Sequence, residues 1–180
     1  MSKLLTILIS SLALGIAACA TAPKTVEGRA DLIASADDTL SRMIARDVEL
    51  RPLLATSAGY AVFPDVGKGG LIVGGAHGRG VLYEGSQPVG YVQLSEASLG
   101  AQAGAEAFSE LIVFENRGAL NRVKRGSLDL GANVSAVALT AGAAKAASFT
   151  DGVVVFVEPR GGLMVDVSVS GQKISFDPGA

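Results

Sequence analysis

The sequence predicts an α+β fold: a curled, largely antiparallel sheet approaching a barrel, with an N-terminal amphipathic helix and a short internal helix. Three observations carry this. An apolar stripe at helical spacing occupies the region before Ala58, and beyond it short β-prone runs outnumber helical ones. The links between those runs are too short for parallel crossovers. Glycines recur inside the strand-like runs, where they mark the bulges and bends that curl a sheet.

From Glu27 to Leu50 the apolar positions Ile33, Ala36, Leu40, Met43/Ile44 and Val48 fall on one helical face. Asp38–Arg42 and Asp47–Arg51 are four apart with the acid first, which supports the same helix. Pro52 ends it or opens a second helix over Leu53–Ser57. The stripe either packs on the core or lies on lipid. Its polar face mixes both signs, which favours packing.

After Ala58 the spacing predicts a strand over Gly59–Phe63 and a turn at Pro64-Asp65. Gly69–Gly75 and Gly80–Tyr83 read as two strands around a turn at Ala76–Arg79. Gly90–Leu94 follows a turn at Gly85–Pro88, and a small-residue stretch runs from Ala97 to Ala107. The continuous apolar run Leu111–Phe114 reads as a strand buried on both faces. Asn116 is placed to cap a helix over Arg117–Lys124 that Gly126 closes. Leu128–Leu139 alternates as a half-buried strand. Val153–Val157 and Leu163–Val169 form a hairpin, and Gln172–Phe176 a last edge strand.

The N-terminus is a separate unit. Lys3 precedes a 15-residue apolar run, Leu4–Ala18, that ends at Cys19, the chain's one cysteine. This is the layout of a secretory signal peptide. The run is shorter than the roughly 20 residues a spanning helix needs. Ile16-Ala17-Ala18-Cys19 resembles a bacterial lipobox, which implies acylation of the Cys19 thiol and cleavage before it. The alternative for a lone cysteine is a small buried hydrophobe or an inert thiol. The expected organisation is a signal peptide at 1–18, a lipidated tether at 19–26 and one domain at 27–180. Ala20, where an inner-membrane retention signal would place Asp, favours the outer membrane, facing the periplasm.

Composition narrows the function. Hydrophobic residues make up 49% of the chain, enough for a core once the leader is set aside. Removing Lys3 with the leader leaves 14 basic against 17 acidic residues, a net charge of −3. With no basic field and only 5% aromatic residues, the sequence argues against nucleic-acid binding. An enzyme reading fares poorly too. His77 is the single histidine, and it reads as a turn residue within Gly75–Gly80. No spacing supplies the three or four ligands of a zinc site. Gly67-Lys68-Gly69 lacks the remaining residues of a P-loop. No cofactor, metal or catalytic residue is expected.

Several ordered motifs carry a family likeness. Phe63-Pro64, Lys68, Gly70, Gly74, Gly78, Gly80-Val81-Leu82 follow the pattern F-P-x-x-x-K-x-G-x-x-x-G-x-x-x-G-x-G-V-L, preceded by Ser57–Pro64. Ser98-Leu-Gly100-Ala-Gln102-Ala-Gly104, Leu130–Val137 and Gly161–Gly171 extend it over about Asp31–Phe176. Together they resemble the SYLF-domain family. The resemblance implies a non-catalytic lipid-binding module, associated in eukaryotic members with phosphoinositides and in fungi with actin. Bacterial members are commonly small exported lipoproteins. What transfers is the fold and a tendency to engage anionic head groups.

Such binding needs cations and backbone amides converging on phosphate. The candidates are Lys68, which matches the family lysine, Arg79 beside it, and the cluster Arg117, Arg122, Lys124 and Arg125. Lys68 otherwise reads as a surface turn residue, and the cluster as a solvated helix face whose cations suit the helix C-terminus. The expected partners are a membrane, through acyl chains, and anionic phospholipid. An envelope scaffold that contacts another protein or a cell-wall polymer is the competing reading.

Overall fold

A computed structural model describes residues 25–70, 73–99, 104–131, 133–160 and 169–179. Cys19, the leader and most of the tether lie outside the described residues. Helix α1 (Val26–Arg46) starts at Thr25, whose Oγ1 accepts from the Gly28 N–H at 3.1 Å, a cap within what the sequence reads as tether. Helix α2 (Leu50–Thr56) follows with Pro52 in its first turn.

The long N-terminal helix therefore stops at Arg46, short of the expected Leu50. Asp47 is the reason. It is buried between the helices, and its carboxylate accepts from the backbone N–H groups of Glu49, Gly142 and Ala144 at 3.1, 3.1 and 2.7 Å. It does not pair with Arg51 along a helix. Arg42, likewise, turns to Thr39 and Glu158 and away from Asp38.

Eight strands follow: β1 (Gly59–Gly70), β2 (Val73–Glu84), β3 (Gln87–Leu99), β4 (Gly104–Phe114), β5 (Leu128–Asp129), β6 (Ala136–Ala138), β7 (Val153–Arg160) and β8 (Lys173–Asp177). Helix α3 (Arg117–Lys124) sits between β4 and β5, and α4 (Ala143–Ala146) precedes β7. The sheet order is β5-β8-β3-β2-β1-β4-β7-β6, antiparallel except for β6 beside β7. Strands β3-β2-β1-β4 make a Greek key, since β4 returns across the first hairpin to lie next to β1. The outermost strands do not meet, so the sheet is a curled half-barrel.

Two layers cover it. The inner face carries Phe63, Val66, Leu94, Ile112 and Phe114, with Leu120 and Val123 of α3 packed against them. The outer face carries Val62, Val81, Leu111 and Phe156 beneath Ala36 and Met43 of α1. Leu111 to Phe114 are all fully buried because β4 lies between these layers. Asn116 caps α3 by accepting from the Ala119 N–H at 3.1 Å, and Gly126 closes it at φ 65°, as the sequence leads one to expect.

Several expected turns are strand instead. Pro64-Asp65 forms a bulge inside a continuous β1, where the missing proline N–H costs no ladder bond. Ala76–Arg79 lies in the middle of β2, so His77 and Arg79 are exposed strand residues. The glycines there serve close packing. A Cβ on Gly80 would lie 2.4 Å from the Val62 carbonyl oxygen and 2.8 Å from the Phe63 ring. Gly80→Ala is expected to lose about 1–3 kcal/mol in urea unfolding. Gly67→Ala, whose new methyl meets nothing within 4 Å, is the control and should change little.

The span from Leu128 to Leu139 keeps its alternation at the start, but forms two short strands on opposite edges of the sheet. The expected partner of β7, Leu163–Val169, falls almost wholly outside the described residues. The last strand is not an edge: β8 pairs with β3 and is covered by β5.

Candidate ligand-binding site

One end of the half-barrel brings together the last residues of β1, β3 and β7 and the first residues of β2 and β4. Just below it, the inner face turns from apolar to polar. Lys68, Glu96, Glu110 and Gln172 are 6, 8, 0 and 0% exposed. Lys68 pairs in register with Ala76, and Ala76 with Glu96. The small methyl between them lets Lys68 Nζ reach Glu96 Oε1 at 3.1 Å across an intervening strand.

The Glu110–Gln172 contact shows how far the sheet curls. Gln172 immediately precedes β8, four strand positions from β4, or about 19 Å along a flat sheet. Yet its Nε2 donates to Glu110 Oε2 at 3.2 Å. Burial pushes the Glu110 carboxyl up from 4.5 to about 8, with Glu96 adding to the rise while Gln172 and Lys68 oppose it. At neutral pH Glu110 is therefore a neutral acid. Glu96 Oε2, Glu110 Oε1 and Gln172 Oε1 have no hydrogen-bond partner among the described residues.

This arrangement corrects the reading of Lys68. It is neither a surface turn residue nor an exposed head-group ligand, but half of a buried ion pair inside the sheet. The other candidates lie elsewhere. Arg79 is exposed on the outer side of β2, at the position facing Asp65. Arg117, Arg122, Lys124 and Arg125 come together on α3 and its C-cap, at the opposite end of β4 from Lys68. Ala119, Leu120 and Val123 face the core, which leaves the cations outward. Lys124 pairs with Glu84, and Arg122 donates to the Asp151 carbonyl at 2.6 Å.

On the outer face, a groove of about 640 Å³ separates α1 and α2 from the sheet, lined in part by Leu40, Ile44, Leu54, Tyr60 and Tyr83. The two tyrosine rings stack at 5.1 Å, and the Tyr83 hydroxyl donates to Asp37 Oδ1 at 2.7 Å. Burial and Asp37 together hold the Tyr83 phenol firmly protonated. Among the described residues no cluster of three His, Cys, Asp or Glu side chains gathers as a metal site. No described helix is long and apolar enough to cross a membrane.

Residues 95–180, from the end of β3 onward, match the model of the Ysc84 family, described as Las17-binding protein actin regulator. The match is to the Ysc84 (SYLF) domain. The chain is also 27% identical over 159 residues to beta cell expansion factor A of Aeromonas veronii, covering 86% of this chain and 60% of that protein. Within the Ysc84 match fall Glu96, Glu110, Gln172 and the basic helix. Lys68 and the glycine motif around it precede it. Ysc84 is a family of binding domains.

Glu96, Glu110 and Gln172 are not evident as site residues from the sequence. A signal for the two acids is there in their phase. Glu96 continues the buried positions Val92 and Leu94, and Glu110 leads into Ile112 and Phe114. A carboxylate in step with a buried face needs a partner. Gln172 carries no such pattern.

Proposed function

We propose that the chain is a non-catalytic lipid-binding module that engages anionic head groups. Acylation of Cys19 holds it at a bacterial membrane, with the outer membrane facing the periplasm as the favoured site. The observation that carries this reading is α3: four cations in nine residues with no acid among them, on a helix whose apolar face is already used by the core. Arg117 and Arg125 are exposed and make no ion pair among the described residues. A cation near an anionic surface contributes about 1 kcal/mol, so this patch orients the domain while acyl chains supply most of the attachment.

The test uses the full chain carrying Cys19→Ala, which cannot be acylated, floated with vesicles at low salt. Binding to phosphatidylglycerol vesicles but not to phosphatidylcholine is expected. Arg117→Gln/Arg125→Gln should weaken it by roughly tenfold or more, about 1 kcal/mol per charge. Equal binding to both vesicle types, or no effect of the double variant, overturns the reading. The family description names a protein ligand, which favours an envelope scaffold as the second reading. A single stoichiometric protein partner in cell crosslinking, with no lipid preference, would select it.

A further inference from the structure

On the outer face, at the end of β7 far from α3, lies an open cleft of about 820 Å³ between α1 and β7. Arg42 and Arg46 enter it from α1 and Arg160 from the end of β7, each guanidinium side chain about half exposed (51, 52 and 49%). Along β4, positions 107 and 114 pair with Arg160 and Val153, so the cleft is about 23 Å from the end of the sheet that bears α3. We propose that Arg42, Arg46 and Arg160 form a phosphate-binding cleft, for a phosphate mono- or diester, independent of the basic helix.

The donors are present and held in place. A guanidinium carries five N–H groups in a fixed fork. Arg46 spends its Nε on Glu158 Oε1 at 3.1 Å. Arg42 meets Glu158 Oε2 only at 3.7 Å, beyond hydrogen-bond range, and contacts Thr39 at 3.3 Å. Arg160 uses NH1 toward Asp65 Oδ2 and the Pro64 carbonyl at 3.3 and 3.4 Å. Most of the fork edges remain unspent among the described residues. Glu158 is buried (side chain 8% exposed) beneath Arg42 and Arg46, which sets their positions before any ligand arrives. Three guanidinium groups outnumber the two carboxylates, Glu158 and Asp65. The Asp65 side chain is 67% exposed, so its ion pair is weak and holds Arg160 only loosely. Asp47, next to Arg46 in sequence, is buried and taken up by backbone N–H groups, so it does not compete.

The experiment titrates the full Cys19→Ala chain, labelled with 15N-arginine, with inorganic phosphate and separately with monomeric dihexanoyl phosphatidylglycerol. Saturable shifts of the Arg42, Arg46 and Arg160 Nε–Hε resonances are expected with at least one probe. Response to phosphate alone identifies a free phosphate as the ligand, and response to the lipid identifies a head group. Arg160→Gln, which leaves α1 untouched, should weaken binding at least about tenfold, as loss of one charge-assisted fork implies. Arg117→Gln/Arg125→Gln should leave it within about twofold. No saturable shift with either probe, or equal weakening by both variants, overturns the cleft. Because the vesicle assay reads α3, its failure leaves this result standing, and the reverse also holds.

Discussion

Replacing Glu110 by Gln is expected to raise stability at pH 8 and to flatten its dependence on pH. The native carboxyl titrates near 8, against an ordinary value of 4.5. Between those values the folded protein keeps a proton that the unfolded chain has released. Stability from this group is therefore complete below about pH 4.5 and is lost as pH rises through about 8. Each unit is worth about 1.4 kcal/mol, so the full loss is on the order of 5 kcal/mol. Gln preserves the neutral shape and never ionises. Urea unfolding of the two proteins at pH 5, 7 and 8.5 should show curves that converge at low pH and separate at high pH. Parallel curves across that range would show that Glu110 does not carry the linkage.

The second large effect is expected at Lys68. Lys68→Met leaves Glu96 buried without its cation, and removing one partner of a buried pair costs about 3–5 kcal/mol. The double variant Lys68→Met/Glu96→Leu removes both charges and should recover most of that loss, because apolar replacements of similar volume are often neutral or better. Glu110 responds in the same network: without Lys68, one of the two influences that lower its pKa is gone. A single variant that unfolds within about 1 kcal/mol of wild type would refute the pairing.

The fold was legible where the signal was local. The stripe of α1, the Asn116 cap and Gly126 stop of α3, and the apolar run of β4 each depend on neighbours within a turn or a strand. The segments that differ share one cause: glycine and proline mark turns locally, but tertiary contact decides their use here. Gly78 and Gly80 are small because Val66 and Phe63 press against β2, and Pro64 sits at a bulge because β1 must bend there. The buried cluster was legible only in part. The motif around Lys68 is local, but the partners of that lysine come from strands that register, curl and a distant return segment bring together. Asp47 is the same case in miniature, fixed by backbone groups 95 and 97 residues away.

The place of β8 has a consequence for how the molecule is made. Residues 173–177 zip onto Tyr91–Ser95, some eighty residues earlier in the sequence. Until they emerge, β3 presents a bare rim able to recruit any other extended chain. Assembly thus waits for Lys173–Asp177 and rests on contacts between remote parts of the chain, which slows it. A product cut short before Lys173 should be sticky and short-lived.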